Sequence, residues 1–274
     1  MTSGWERGAT ARALRAEPTL EDPGWAAALA HYESAFDHDH PLALLFDPEL
    51  VRLNRQLSRL GDGPLRGIDP ALAGHLQRAA AAYEAWPEDA AENRAWIEKL
   101  QPALARHGEA LAASLEKAYG ARFPAPIAVD VSSYAGPVGA YTVLDPPHIT
   151  ITSHLSEYQG DAALEMVFHE ASHALVGPLR EKLAAECARQ GVAEPPQLWH
   201  SLLFYTTGEV VRRRLGGGYV PYADRNGLWT RSFSADERPI KDHWPAYLDG
   251  AIDIDTALAR VVAALPRGAA PEAR

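Results

Sequence analysis

At 274 residues the chain is long enough to bury a sizeable core, and its 47% hydrophobic and 23% charged content is that of an ordinary folded domain. A formal net charge of −10 argues against a nucleic-acid partner, which would need a basic face. The single cysteine, Cys187, excludes intrachain disulfides and cysteine-based zinc sites, and no apolar run reaches transmembrane length.

The first 24 residues are polar and irregular, without the apolar core of a signal peptide. Cytoplasmic residence is the default expectation, and extracytoplasmic residence stays open for a chain trimmed of its leader. From residue 25 to 120 the sequence is alanine-rich. Helices are predicted over 25–36, 48–60, 70–86 and 87–119, with Asp69 as a cap, Pro70 in the first turn, and a kink or break near Pro102. Gly120 suits a helix C-terminus. The loop Asp37-His38-Asp39-His40 carries metal-ligand residue types, but no helix or strand fixes them, so a solvated linker is the better reading.

The pattern changes at Phe123. Segments 126–136 and 139–144 are rich in β-branched and aromatic residues, and 148–153 alternates strictly, which predicts three short strands. The expected division is a mainly helical region, 1–120, followed by 121–274, as separate regions or as one continuous domain.

Residues 161–176 contain no Gly or Pro, and Leu164, Phe168, Ala171 and Leu175 recur on one helical stripe. Gly160 or Asp161 can cap this helix, and Gly177-Pro178 is expected to end it. The segment also spells His169-Glu170-Ala171-Ser172-His173, in which His169, Glu170 and His173 lie with Met166 on a different face from that stripe. Two imidazoles four residues apart sit about 40° apart around a helix axis, one turn above the other, so both can reach one tetrahedral zinc. Glu170 then points beside the metal, where a carboxylate can take a proton from a water and pass it to a leaving group. Cys187 falls in a further helical stretch, 179–190, as a small core residue.

The HExxH segment resembles the active-site helix of the zincin superfamily of zinc metallopeptidases, over this helix and its surroundings. The extended metzincin pattern is absent, since no histidine follows at the required offset. A gluzincin-like arrangement, with the third ligand on a later helix, is preferred. That later helix is predicted over 195–215, between paired prolines and Gly216-Gly217-Gly218. It offers His200 and Glu209, which are nine residues apart and so point to opposite sides. The resemblance favours His200, in the early turns. Glu209 follows a glycine as in some gluzincin motifs, but Arg213 stands where those families often carry an acid. Glu209 is therefore the alternative ligand, or a carboxylate orienting a ligand histidine. The Arg212–Arg214 run reads as a solvated helix end.

The resemblance also implies an edge strand along a substrate cleft. Residues 149–153 are a candidate, with an ordinary buried strand as the equal alternative. After Gly218 a long irregular stretch rich in Gly, Pro and aromatics precedes a terminal helix near 255–265. Tyr219 and Tyr222 are candidate oxyanion donors by position, with His243 a weaker one; aromatic packing is the competing role.

The expectation is an α+β fold, mostly α: a helical N-terminal part, a small β-sheet, the zincin-like helix and a second metal-bearing helix. The implied function is a zinc-dependent metallohydrolase, a peptidase by preference. His169, His173 and His200 bind Zn2+, Glu170 is the general base, and the substrate is a peptide or protein. The alternatives are an inactive zincin-like binding domain with a structural zinc, for which His154 or Glu165 could supply a fourth ligand, and a metal-dependent amidohydrolase acting on a non-peptide.

Overall fold

The computed structural model of the chain describes residues 47–266 other than 61, 62, 85, 86, 125 and 137, together with six helical positions between 23 and 34; the side chains of 79–89 are also outside the description. Most of the helix expected over 25–36, and the whole 37–40 loop, fall outside the described residues. The protein is α+β and mostly helical, with one three-stranded sheet. No described helix is long and apolar enough to cross a membrane.

The described residues form two compact units. One comprises the described residues up to Glu98 with Ile127–Leu155; the other comprises Lys99–Pro126 with the described residues from Ser156 onward.

In the first unit, α1 (Pro48–Leu60) and α2 (Pro70–Glu84) start at prolines whose missing N–H costs nothing in a first turn. Asp47 Oδ1 accepts from the N–H groups of Glu49 and Leu50 at 2.8 and 2.9 Å, and Asp69 Oδ1 from those of Ala71 and Leu72 at 3.0 Å. Leu53, Ile68 and Leu72 form a small core beneath them. Strands β1 (Ala128–Ser132), β2 (Ala140–Leu144) and β3 (Pro147–Thr152) order as β1-β3-β2, with β1 parallel and β2 antiparallel to β3. β3 is therefore the central strand, not the edge considered for 149–153. Its Ile149 and Ile151 are wholly buried, and its backbone pairs on both sides.

The helix α3 (Pro87–Tyr119) runs unbroken through Pro102. Pro102 and Glu98, the residue four earlier whose carbonyl loses its donor, are both exposed, so water can complete the bond.

The second unit is built around α4 (Asp161–Ser172), in which every residue from Ala162 to Ser172 is buried. The helix is central rather than amphipathic, because it is covered all round. It packs on α6 (Leu198–Leu215) and on a 3₁₀ turn at Ser156–Tyr158. Gly177 and Pro178 do not end α4; they open α5 (Gly177–Gln190), where Pro sits in the first turn. Beyond α6 the stretch expected to be irregular is a series of short helices: α7 (Tyr222–Arg225), α8 (Leu228–Arg231), α9 (Glu237–His243) and α10 (Pro245–Leu248). Each is too short to show a hydrophobic period, so turn residues dominate its sequence. The terminal α11 (Ile254–Ala264) is capped by Asp253, which accepts from the Thr256 N–H at 2.7 Å, and packs on α5 and α9. Cys187 is buried in α5.

Candidate metal centre

His169 and Glu170 lie in the last turns of α4, and His173 is its C-cap residue, still right-handed at φ −56°, ψ −27°. Here the chain tightens. The N–H groups of His173, Ala174 and Leu175 donate three residues back, to Glu170, Ala171 and Ser172. The i, i+4 relation between the two histidines therefore survives the end of the helix. His200 is the third residue of α6, and the packing of α6 on α4 brings it to them.

The three imidazoles form a nearly equilateral triangle, each pair of ring centroids 5.3 Å apart. A tetrahedral zinc with Zn–N bonds of about 2.0–2.1 Å places ligand nitrogens about 3.3–3.4 Å apart and ring centres about 5.2 Å apart. His169 Nε2 and His200 Nε2 are 3.3 Å apart, and the ligand atoms of all three residues lie within 4.8 Å of one another.

Burial also prepares the donors. Desolvation, with His173 and His200 as positive neighbours, holds His169 well below the usual imidazole range. Desolvation first, then His200 and Arg180, lowers His173 to about 3, and desolvation alone lowers His200 to about 4. All three rings are thus neutral near pH 7, with lone pairs available. A set of three imidazoles without thiolate suits zinc.

Aromatic rings hold the triangle. Phe204 stacks on His169 at 3.8 Å, while Trp199 stacks on His200 at 5.0 Å and meets the edge of His173 at 5.7 Å. The Arg180 guanidinium covers Trp199, 4.9 Å from the ring centroid. His169 Nδ1 is buried without a hydrogen-bond partner. A metal-bound histidine usually donates its second N–H to an oxygen. Stacking on Phe204 orients this ring instead.

Glu170 is buried, with Oε2 3.9 Å from His173 Nε2. No fourth His, Cys, Asp or Glu among the described residues joins the group. The two residues considered for that role are engaged elsewhere: His154 pairs with Glu92 at 2.8 Å, and Glu165 accepts from Tyr219 and Tyr222. Glu209 is also committed, receiving two bonds of 2.7 Å from Arg212 and one of 2.6 Å from Arg213. Arg213, which departs from the gluzincin pattern, thus shares Glu209 with Arg212 in an ion-pair network.

Tyr219 and Tyr222 both reach α4, through Glu165. The Tyr219 hydroxyl donates to Glu165 Oε2 at 2.5 Å, and the Tyr222 backbone N–H to the same oxygen at 2.9 Å. The Tyr222 ring packs 5.6 Å from that of Tyr158, whose hydroxyl hydrogen-bonds the Tyr222 hydroxyl. Burial first, then the negative charges of the Tyr222 phenolate and of Glu170, push the Tyr158 phenol up. Tyr158 was not legible as a site residue, because a lone tyrosine in a three-residue turn has no periodic signal. His243 closes α9 and does not belong to the histidine group. No protein-family model matches the chain, and neither does any curated protein or solved structure.

Proposed function

We propose that the chain is a zinc-dependent metallohydrolase of amide bonds, with peptides or proteins as its substrates. The observation that carries this reading is the equal-sided triangle of three neutral imidazoles with the Glu170 carboxylate beside it. His169, His173 and His200 would hold the cation, and Trp199 and Phe204 fix their rings. Zinc, when bound, supplies Lewis acidity toward a carbonyl oxygen and makes a water more acidic. Glu170 accepts the proton of the attacking water and delivers it to the leaving amine. The Tyr158–Tyr222 hydroxyl pair is the donor assigned to the developing oxyanion, since the Tyr219 hydroxyl is tied to Glu165. A structural zinc would require four protein ligands, and the described residues supply three.

Elemental analysis of the purified chain, beside a quenched-fluorescence peptide library, tests this. The expected result is an equivalent of zinc in the wild type and in Glu170→Gln, loss of zinc in His200→Ala, and peptide cleavage by the wild type that Glu170→Gln abolishes. A wild-type protein that takes up no zinc in excess metal would overturn the reading.

A further inference from the structure

The three imidazoles are not covered evenly. His169 is buried, whereas His173 and His200 keep part of their surface, so solvent reaches the triangle from the His173–His200 side. Trp199, half-buried, borders that side in contact with both rings. Over Trp199 lies the Arg180 guanidinium, its Cζ 4.9 Å from the ring centroid. With Trp199 itself 5.7 Å from His173, Cζ is at most about 11 Å from the His173 ring, the reach of about three extended residues.

Arg180 is exposed, and among the described residues its side chain has neither an ion pair nor a hydrogen bond. Arg189 on the same helix is bound by Glu186 at 2.6 Å, and Arg212 and Arg213 are bound by Glu209. The neighbours of Arg180 at helical spacing, Val176, Gly177, Leu183 and Ala184, carry no charge. It also stands in the first turn of α5, where the helix dipole disfavours a cation. Packing on Trp199 does not use its N–H groups, because the attraction is between the charge and the ring face. The ring therefore holds the guanidinium in place and leaves a fork of donors open, in the geometry that matches a carboxylate.

On the hydrolase reading of the triangle, on which this rests, we propose that Arg180 binds a carboxylate of the substrate and makes the site selective for peptides that carry one within about three residues of the cleaved amide. A free C-terminus and an acidic side chain both supply that group. Trp199 is the positioning residue, since its contacts with Arg180, His173 and His200 set the distance between the bound carboxylate and the triangle.

The experiment is a titration of ¹⁵N-labelled full-length protein with three short peptides: acetyl-trialanine, its C-terminal amide, and the same amide with glutamate as the last residue. The protein is chelator-treated, since a carboxylate also binds zinc directly. The readouts are the Arg180 Nε–H resonance, identified by its loss in Arg180→Gln, and the Trp199 indole N–H, identified by its loss in Trp199→Phe. At least one of the two charged peptides should shift both signals saturably and bind about tenfold more tightly than the neutral amide, the factor a charge-assisted hydrogen bond supplies at the weak end of its range. Preference for the free acid assigns the C-terminus as the source, and preference for the glutamyl amide assigns a side chain. In Arg180→Gln, read from Trp199, the preference should fall to within about twofold, and Arg180→Lys, a point charge without the fork, should restore part of it. Equal affinity for all three peptides, a preference that survives Arg180→Gln, or binding of none of them would overturn the proposal. Because neither zinc nor cleavage enters the titration, its failure is distinct from a failure of the hydrolase reading.

Discussion

The Tyr219 hydroxyl donates to Glu165 Oε2 at 2.5 Å, and this bond pins the segment after α6 onto the helix that carries His169 and His173. Glu165 is wholly buried, and desolvation raises its carboxyl to about 7 despite the bonds from Tyr219 and Tyr222. The sign of the effect on stability follows. Between the ordinary value of 4.5 and about 7, the folded chain retains a proton that the unfolded chain has released. This contribution is therefore fully present below pH 4.5 and is lost as the pH rises through 7. Glutamine cannot ionise and keeps an oxygen for Tyr219. Glu165→Gln should accordingly gain stability relative to wild type between pH 5 and pH 8, read from urea midpoints at both values. A constant difference between the two proteins would refute the assignment.

His200 and Glu209 separate cleanly in the structure, and their variants should do the same. His200→Ala removes one of the three imidazoles proposed to hold zinc and should weaken zinc binding by more than about 100-fold, beyond what loss of an orienting partner costs. Glu209→Ala breaks bonds to Arg212 and Arg213 only, and should leave zinc affinity within about twofold while lowering stability slightly. Competition against a fluorescent chelator measures both.

Phe204 gives a subtler expectation. Its ring lies 3.8 Å from that of His169, whose Nδ1 has no partner to orient it. Phe204→Leu keeps an apolar side chain but removes the flat face. Zinc affinity should fall by about tenfold, the lower end of the cost of losing a group that orients a ligand, with little change in the far-UV circular dichroism. Unchanged affinity would mean that helix packing alone sets the ring.

Where the sequence was legible, a strong local signal stood behind it. Asp69 with its following proline marks the start of α2, and the alternation around Ile149 and Ile151 marks β3. The HExxH spacing carries its own geometry, and His200, preferred over Glu209 from the sequence, lies in one group with the two histidines of that motif. The unreadable parts depend on tertiary neighbours. Whether β3 is central or at an edge is decided by β1 and β2, not by its own residues. The all-round burial of α4 comes from helices that are distant in sequence. Glu165 looks like a surface acid or a spare ligand until Tyr219 and Tyr222 are brought onto it.

Gly208 illustrates such a tertiary demand. It lies in the middle of α6, where glycine normally weakens a helix. A Cβ at this position would stand 2.8 Å from Pro221 Cβ and 3.0 Å from Glu165 Oε1. Neither can easily give way, since Pro221 belongs to the segment that Tyr219 and Tyr222 tie to Glu165. Gly208→Ala should therefore destabilise the protein by about 1–3 kcal/mol, as overpacking does, despite the better helix propensity of alanine. Gly108 in α3 is the contrasting case, because a Cβ there meets only Phe168 Cζ, at 3.9 Å, an ordinary contact. Gly108→Ala should stabilise the protein by about 0.5–1 kcal/mol through propensity and reduced unfolded-state entropy. Urea denaturation of the two variants compares them directly. If both stabilise, the close approach of α4, α6 and Pro221 at Gly208 is not a constraint on the fold.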